Sequence, residues 1–459
     1  MKYLETGSSL NSLGDSAFGL KVVMGFRLWF GLLLLMGWCG HLGAQGVDGG
    51  NGHALVLDEQ GRVWAMGRNG FGQLGDGTFE NSTIPKRLEG LENITAISRG
   101  YDHSMALDAE GFLYLWGRNN YGQLGCASAS DQAVPQKLPN HGGFISARGG
   151  HWHTVGLKRD GSVWAWGHNF YAELGNGERE HSAWPVQVLQ DSGGRVSVLK
   201  NVIQIATVGY HTLVLKRDGT VWGWGGNDFK ELGQVGETHQ KWAIRLEGIP
   251  KMREVAVGWH HSVGLDLEGK LWIWGSDPAF QFKEETRRHF DKPFRLDGLP
   301  KFTSIACGSW HSLAIDENQN VWGWGRNHFG MLGTGDTVSH SRPVLIRGLK
   351  NITHIGGGCF QSLAVNHKGE IFSFGDNPSG QQGLGHYKRM LTPTLTALNA
   401  NGELALETIM KPEKEEVPMP LPQKGFLGRE SVLRVLKYAL FAVSVLFNVV
   451  LWYKLKARL

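Results

Sequence analysis

Between residues 103 and 119 the chain reads HSMALDAEGFLYLWGRN, with apolar positions alternating at period two on both sides of a Gly-bearing turn. That alternation predicts a β-hairpin. The pattern then repeats. His53, His103 and His153 lie 50 residues apart, His211 follows after 58, His261 and His311 resume the 50-residue step, and Gln361 takes the seventh place. Eight positions beyond these marks stand Gly61, Gly111, Gly161, Gly219, Gly269, Gln319 and Gly369. Aromatic pairs such as Trp164/Trp166, Trp222/Trp224, Trp272/Trp274 and Trp322/Trp324 come next, and most copies close on Leu-Gly, as in Leu74-Gly75 and Leu332-Gly333.

Each copy holds four predicted strands. The hairpin supplies two, a third precedes the next His, as in Asn93-Ile94-Thr95-Ala96-Ile97, and a fourth follows the Pro position, as in Pro85-Lys86-Arg87-Leu88. Seven copies fill roughly positions 47 to 396. Seven four-stranded units with a Trp-filled interior predict an all-β fold, a seven-bladed β-propeller, which leaves only short blade edges. The length of 459 residues alone suggests about three domains, but the repeat reduces them to one. The hairpin Gly is expected where φ is positive. In the sixth copy Gln319 replaces it, and Asn318 and Asn320 are expected to take the left-handed geometry instead. The first copy has only a Gly-rich lead at residues 47–52, so residues 404–410 are expected to supply a missing strand and close the ring.

Composition agrees with a turn-rich β protein. Gly numbers 66 and Trp 18, against 15 Pro. Lys plus Arg exceed Asp plus Glu by 46 to 42, a net +4 that gives nucleic-acid binding no support. Cys39, Cys126, Cys307 and Cys359 have no CxxC spacing, so neither a zinc site, a redox motif nor a disulfide framework is expected.

The two ends differ from the middle. Residues 24–44 hold one charge (Arg27), an apolar run and Leu42-Gly43-Ala44, the three parts of a secretory signal peptide. Met24 is the expected start within a signal region spanning 1–44; an uncleaved anchor is the alternative. Residues 438–453 form a 16-residue stretch without a charge, flanked by Arg434, Lys437 and Lys454 and edged by Tyr438, Trp452 and Tyr453. This predicts a C-terminal transmembrane helix over 431–454, the flanking cations extending a short span. A charged, Pro-rich stalk is expected at 411–430 and a basic tail at 455–459, leaving a propeller domain at 47–410. The expected localisation is a single-pass membrane protein with the propeller on the extracytoplasmic side, although charge on both flanks leaves orientation open.

The pattern G-x-x-H-[ST]-x-x-L-x-x-x-G-x-[VL]-[WY]-x-W-G-x-N-x-x-G-x-L-G resembles the regulator-of-chromosome-condensation repeat family over about three quarters of the chain. The resemblance implies a seven-bladed propeller. It says less about function. The eukaryotic founder is an exchange factor for a small GTPase that docks on chromatin, while other relatives are binding modules, among them a secreted bacterial β-lactamase inhibitor.

No catalytic constellation is encoded. The chain lacks the phosphate loop G-x-x-x-x-G-K-[ST] and the nucleophile elbow G-x-S-x-G. The six repeat histidines are expected to satisfy backbone groups at strand starts rather than ring a metal. No metal, cofactor or catalytic residue is expected. More informative are the positions between the repeat Gly and His: Asn51-Gly52, Tyr101-Asp102, His151-Trp152, Tyr210, Trp259-His260, Ser309-Trp310 and Cys359-Phe360. Equivalent propeller loops emerge on one face, and Trp and Tyr are favoured in binding hot spots. Tyr101, Asp102, His151, Trp152, Tyr210, Trp259, His260, Trp310 and Phe360 are therefore the expected binding residues. The alternative is that these rings cap blade cores. The charged stretch at 276–293 and the insertion Gln190 to Ser197 are candidate specificity loops.

These observations favour a membrane-anchored, exported interaction module whose partner is a protein or another envelope component. A cytosolic or nuclear regulator of a small GTPase is the second reading, and an enzyme using the channel as its pocket the third.

Overall fold

The computed structural model describes residues 46–404, apart from 127, 235–236, 277–288, 400–401 and the side chains of 289–291. The expected signal peptide, stalk, transmembrane helix and tail lie outside the described residues, as does most of the charged stretch in the fifth repeat. Among the described residues no helix is long and apolar enough to cross a membrane.

Seven antiparallel sheets follow one another along the chain, each ordered from the centre outward. Blade one comprises Gly46–Gly49, His53–Leu57, Val63–Gly67 and Ser82–Arg87; blade two comprises Ile94–Arg99, His103–Asp108, Leu113–Gly117 and Gln132–Lys137. The inner strands Gly46–Gly49, Ile94–Arg99, Phe144–Gly149, Val202–Thr207, Met252–Val257, Phe302–Cys307 and Ile352–Gly357 each pack on the next, and the last packs on the first. The fold is an all-β seven-bladed propeller.

Ring closure differs from expectation. Gly46–Gly49 is itself the inner strand of blade one, paired with His53–Leu57. A strand needs backbone groups rather than large side chains, and here bulk is excluded: a Cβ on Gly49 would lie 3.1 Å from the Gly358 backbone of blade seven. Leu404 forms only an isolated bridge with Leu398, and residues 405–410 lie outside the described residues. Several polar contacts help to seal the ring. Cys359 N–H donates to Gly50 O at 3.1 Å. The Gln361 amide donates to His53 O at 3.1 Å. Arg99, 4% exposed, pairs with Asp48 at 3.2 Å and donates to Gly357 O.

The core lies between blades. Leu55, Leu57, Val63 and Leu74 of blade one pack with Ile94, Ile97, Ala106 and Trp116 of blade two. The second aromatic of each pair is the deeper one: Trp116, Trp166, Trp224, Trp274 and Trp324 are fully buried. A ring of this kind removes on the order of 200 Å² from water, roughly 5 kcal/mol as an upper estimate. In three of these tryptophans the N–H reaches back one blade: Trp116 Nε1 to Gln73 O at 2.9 Å, Trp166 Nε1 to Gln123 O at 3.0 Å and Trp224 Nε1 to Glu173 O at 2.7 Å.

One further local expectation is corrected. Gln319 itself adopts φ 61°, rather than Asn318 or Asn320. Asp316 Oδ1 accepts both neighbours' backbone N–H groups at 2.9 Å and fixes the turn with Gln319 at its left-handed position. The insertion before blade four is a hairpin, Leu189–Asp191 with Val196–Val198, which joins the outer edge of that blade through Gln190 opposite Ala243.

Candidate functional site

The loops from inner to second strand, and those from third to outer strand, open on one face of the ring. Backbone bonds tie the first set blade to blade: Asn51 N–H to Tyr101 O, Tyr101 N–H to Gly150 O, His151 N–H to Gly209 O and Trp259 N–H to Ser309 O, all at 2.9–3.1 Å. The second set is pinned by the repeat Asn. Asn69, Asn119, Asn169, Asn227 and Asn327 each accept the N–H of the Leu five residues on through Oδ1, at 2.9–3.0 Å. This fixes the loop and projects the residue two past the Asn toward the next blade.

Those residues, which the repeat pattern did not single out, complete the expected aromatic face. Tyr121 lies 5.3 Å from Trp152, Tyr171 4.7 Å from Tyr210, Phe229 4.2 Å from His260 and Phe329 5.1 Å from Phe360, ring to ring, each contact joining adjacent blades. The signal was present as an aromatic two positions after the repeat Asn in successive copies, but nothing in one copy says that two loops of different blades meet.

The expected binding residues all lie on this face. His151, from blade three, is buried and stacks on Trp152 at 4.1 Å. It also meets Tyr101 at 4.2 Å and Trp259 at 5.1 Å, and its Nδ1 is 2.5 Å from the Tyr210 hydroxyl. Trp259 meets Trp310 at 5.1 Å, and His260 meets Trp310 at 5.6 Å. Phe360 stands apart from this central group and touches Phe329. Tyr101, Trp152, Tyr210, Trp259, His260, Trp310 and Phe360 are half-buried. Asp102, 2% exposed, is buried beneath Arg68 and Arg118. The rings thus contact one another across the channel mouth and also present edges to solvent.

Electrostatics follow from burial. Desolvation lowers His151 to about 3, with His168 and Arg118 adding to the effect, so its ring is neutral. Burial raises the Tyr101 phenol to about 12 and raises Tyr210 further. Burial also raises Asp102, against the lowering influence of Arg68 and Arg118. His168 Nδ1 bonds Glu173 at 2.7 Å, and His260 Nδ1 bonds Glu231 at 3.3 Å. Arg326 lies 4.0 Å over the Trp310 ring, a cation–π distance.

The repeat histidines do something else. His53, His211, His261 and His311 place Nε2 2.8–3.1 Å from the hydroxyls of Ser104, Ser262, Ser312 and Ser362 of the following blade. His103 and His153 reach Thr154 and Thr207 at 3.0 and 3.3 Å. The partner is a hydroxyl of the neighbouring blade, not a backbone group of the strand start. Several of those hydroxyls donate onward, as Ser104 to Gln73 O at 2.8 Å and Ser362 to Met331 O at 2.7 Å, which makes the His Nε2–H the donor. The six are structural staples. Among the described residues no group of three or more His, Cys, Asp or Glu has the arrangement to hold a metal ion.

Known proteins agree with this architecture. The profile of the RCC1-like domain matches residues 140–409, and those of the regulator of chromosome condensation (RCC1) repeat match 60–107 and 110–157, with further repeat matches at 45–73 and 94–123. A search of curated proteins gives no match. Among solved structures, human WBSCR16 is 24% identical with a TM-score of 0.62, over 70% of this chain and 87% of that one. Prp20p from Saccharomyces cerevisiae, studied for its binding to Gsp1p and histones, is 22% identical at a TM-score of 0.65, over 77% and 87%. Yeast RCC1 (Prp20) bound to Kap60 is 20% identical at 0.66, over 86% and 91%.

Proposed function

The chain belongs to the RCC1-like propeller family, and from that premise we propose that it is a non-catalytic interaction module docking a protein through its aromatic face. The observation that carries this reading is the concentration of half-buried rings on one side of the ring, with Tyr101, Trp152, Tyr210, Trp259 and Trp310 on loops fixed by backbone bonds. Rigid aromatics lose little entropy on binding and are enriched in hot spots. Proteins described as binding partners, such as Prp20p with Gsp1p and histones, share the fold. The exported, membrane-anchored placement is part of the same proposal and rests on the leader-like residues 24–44 and the apolar residues 438–453.

The test is partner capture from detergent-solubilised membranes with the full chain and with a Trp259→Ala/Trp310→Ala double variant. Loss of about 2 kcal/mol or more of affinity in molecules that still fold supports the docking face. Collapse of the fold, or unchanged affinity, assigns these rings to packing alone. A reporter fused after residue 425 that is active in the cytoplasm overturns the exported placement.

A further inference from the structure

Arg68 and Arg118, at the ends of the third strands of blades one and two, converge on a single carboxylate. Arg68 Nη1 lies 3.5 Å from Asp102 Oδ1, and Arg118 Nη1 3.2 Å from Asp102 Oδ2. Asp102 also accepts from the Asn51 side-chain amide at 3.4 Å, and its side chain is only 3% exposed. The two guanidiniums are 38% and 26% exposed. Both lie against the Phe71 ring, at 5.3 and 4.6 Å, and Arg118 also approaches Trp152 at 5.8 Å. One buried negative charge therefore stands beneath two partly exposed positive ones.

Each guanidinium carries five N–H donors in a planar fork suited to carboxylates. Asp102 engages one nitrogen of each fork, and no other protein acceptor of either fork is seen among the described residues. Three other carboxylates on this face pair elsewhere: Glu173 with His168, Glu231 with His260, and Asp376 with Arg389 at 3.3 Å. At this point two guanidiniums face one carboxylate, which leaves positive charge next to apolar rings. We propose that Arg68 and Arg118 form a subsite for the carboxylate of an acidic segment in the protein partner, which competes with Asp102 for the two forks. This deepens the docking-face reading and rests on it. A nucleic acid fits less well, because two arginines flanked by rings make a point of charge rather than a stripe, and the whole chain carries only +4.

The probe is a fluorescent peptide of about twelve residues alternating Glu with Phe, titrated against the full chain beside the same peptide with Gln for Glu and a dT oligonucleotide of similar length. Saturable binding of the acidic peptide alone is expected, weakened about tenfold by Arg118→Gln and by Arg68→Gln. Asp102→Asn separates a charge subsite from a scaffold. Removing the internal carboxylate should tighten the acidic peptide several-fold, whereas a purely structural ion pair predicts weaker binding. Equal binding of the Gln peptide, insensitivity to either arginine, arginine-dependent binding of the oligonucleotide, or weaker binding by a folded Asp102→Asn variant overturns the proposal. If Trp259→Ala/Trp310→Ala abolishes capture of the native partner while Arg118→Gln leaves it intact, the docking face stands and only the carboxylate subsite falls.

Discussion

The phenol of Tyr101, in blade two, and the indole of Trp259, in blade five, stand 5.7 Å apart across the centre of the propeller. Blades three positions apart in a ring of seven are near opposites, so this contact bridges the channel mouth. His151 of blade three sits against both rings. A face built this way is at once a packing element and a surface, and the consequences divide between stability and recognition.

Closure of the ring through Arg99 gives the first prediction. Its guanidinium joins blade two to Asp48 of blade one and Gly357 of blade seven in a buried setting. Removing one partner of a fully buried ion pair typically costs ~3–5 kcal/mol, and Asp48, 25% exposed, places this pair below that range. Arg99→Ala is expected to lower stability measurably, since Gly357 O also loses a buried donor. Hydrogen exchange should quicken first in Gly46–Gly49 and Ile352–Gly357. Uniform loosening of all seven blades would show that Arg99 is no local seal.

The histidine staples set the response to acid. Desolvation first, with nearby cations adding to it, lowers His53, His103, His211, His261 and His311 to about 3 and His153 well below its usual value. The unfolded chain binds protons near pH 6.5 while the folded ring does not. Stability is therefore full above pH 6.5 and is lost as pH falls from 6.5 toward 3, each staple contributing up to about 1.4 kcal/mol per pH unit. Urea midpoints between pH 7.5 and 4.5 should drop steeply. Gln361 already serves as a neutral donor in blade seven, so His311→Gln should fold and show a shallower acid dependence. A slope identical to the parent would remove His311 from the account.

Glu254 acts with the opposite sign. Its carboxylate accepts from Ser304 Oγ at 3.2 Å and Ile305 N–H at 3.3 Å in the neighbouring blade, and burial raises it to about 7 despite both bonds. The folded state holds a proton there that the unfolded chain has released, so Glu254 favours folding as pH falls from about 7 toward 4.5 and opposes it above 7. Gln204 makes the equivalent strap from blade four to Val255 as an uncharged amide. Glu254→Gln should raise the melting temperature at pH 8 and change it little at pH 4.5. A drop at pH 8 would mean that the ionised carboxylate is the form the site requires.

The sequence by itself determined the blades. The recurring Gly, Trp pair and Leu-Gly each answer a local demand: a positive φ as at Gly161, a large core filler, and a loop pinned by Asn. Local demands repeat with the chain and are therefore visible in it, as is the gathering of Tyr101, Trp152, Trp259 and Trp310 on equivalent loops. What only the tertiary structure decided lies between copies. Gly46–Gly49 reads as a Gly-rich lead until blade seven is set beside it and leaves no room for a side chain at Gly49. Tyr121 and Tyr171 read as loop residues until the next blade brings Trp152 and Tyr210 against them. Arg68 and Arg118, 50 positions apart, meet only because two blades aim them at one Asp102. Such pairings depend on how the ring closes, and closure joins residues that the sequence keeps 50 or 300 positions apart.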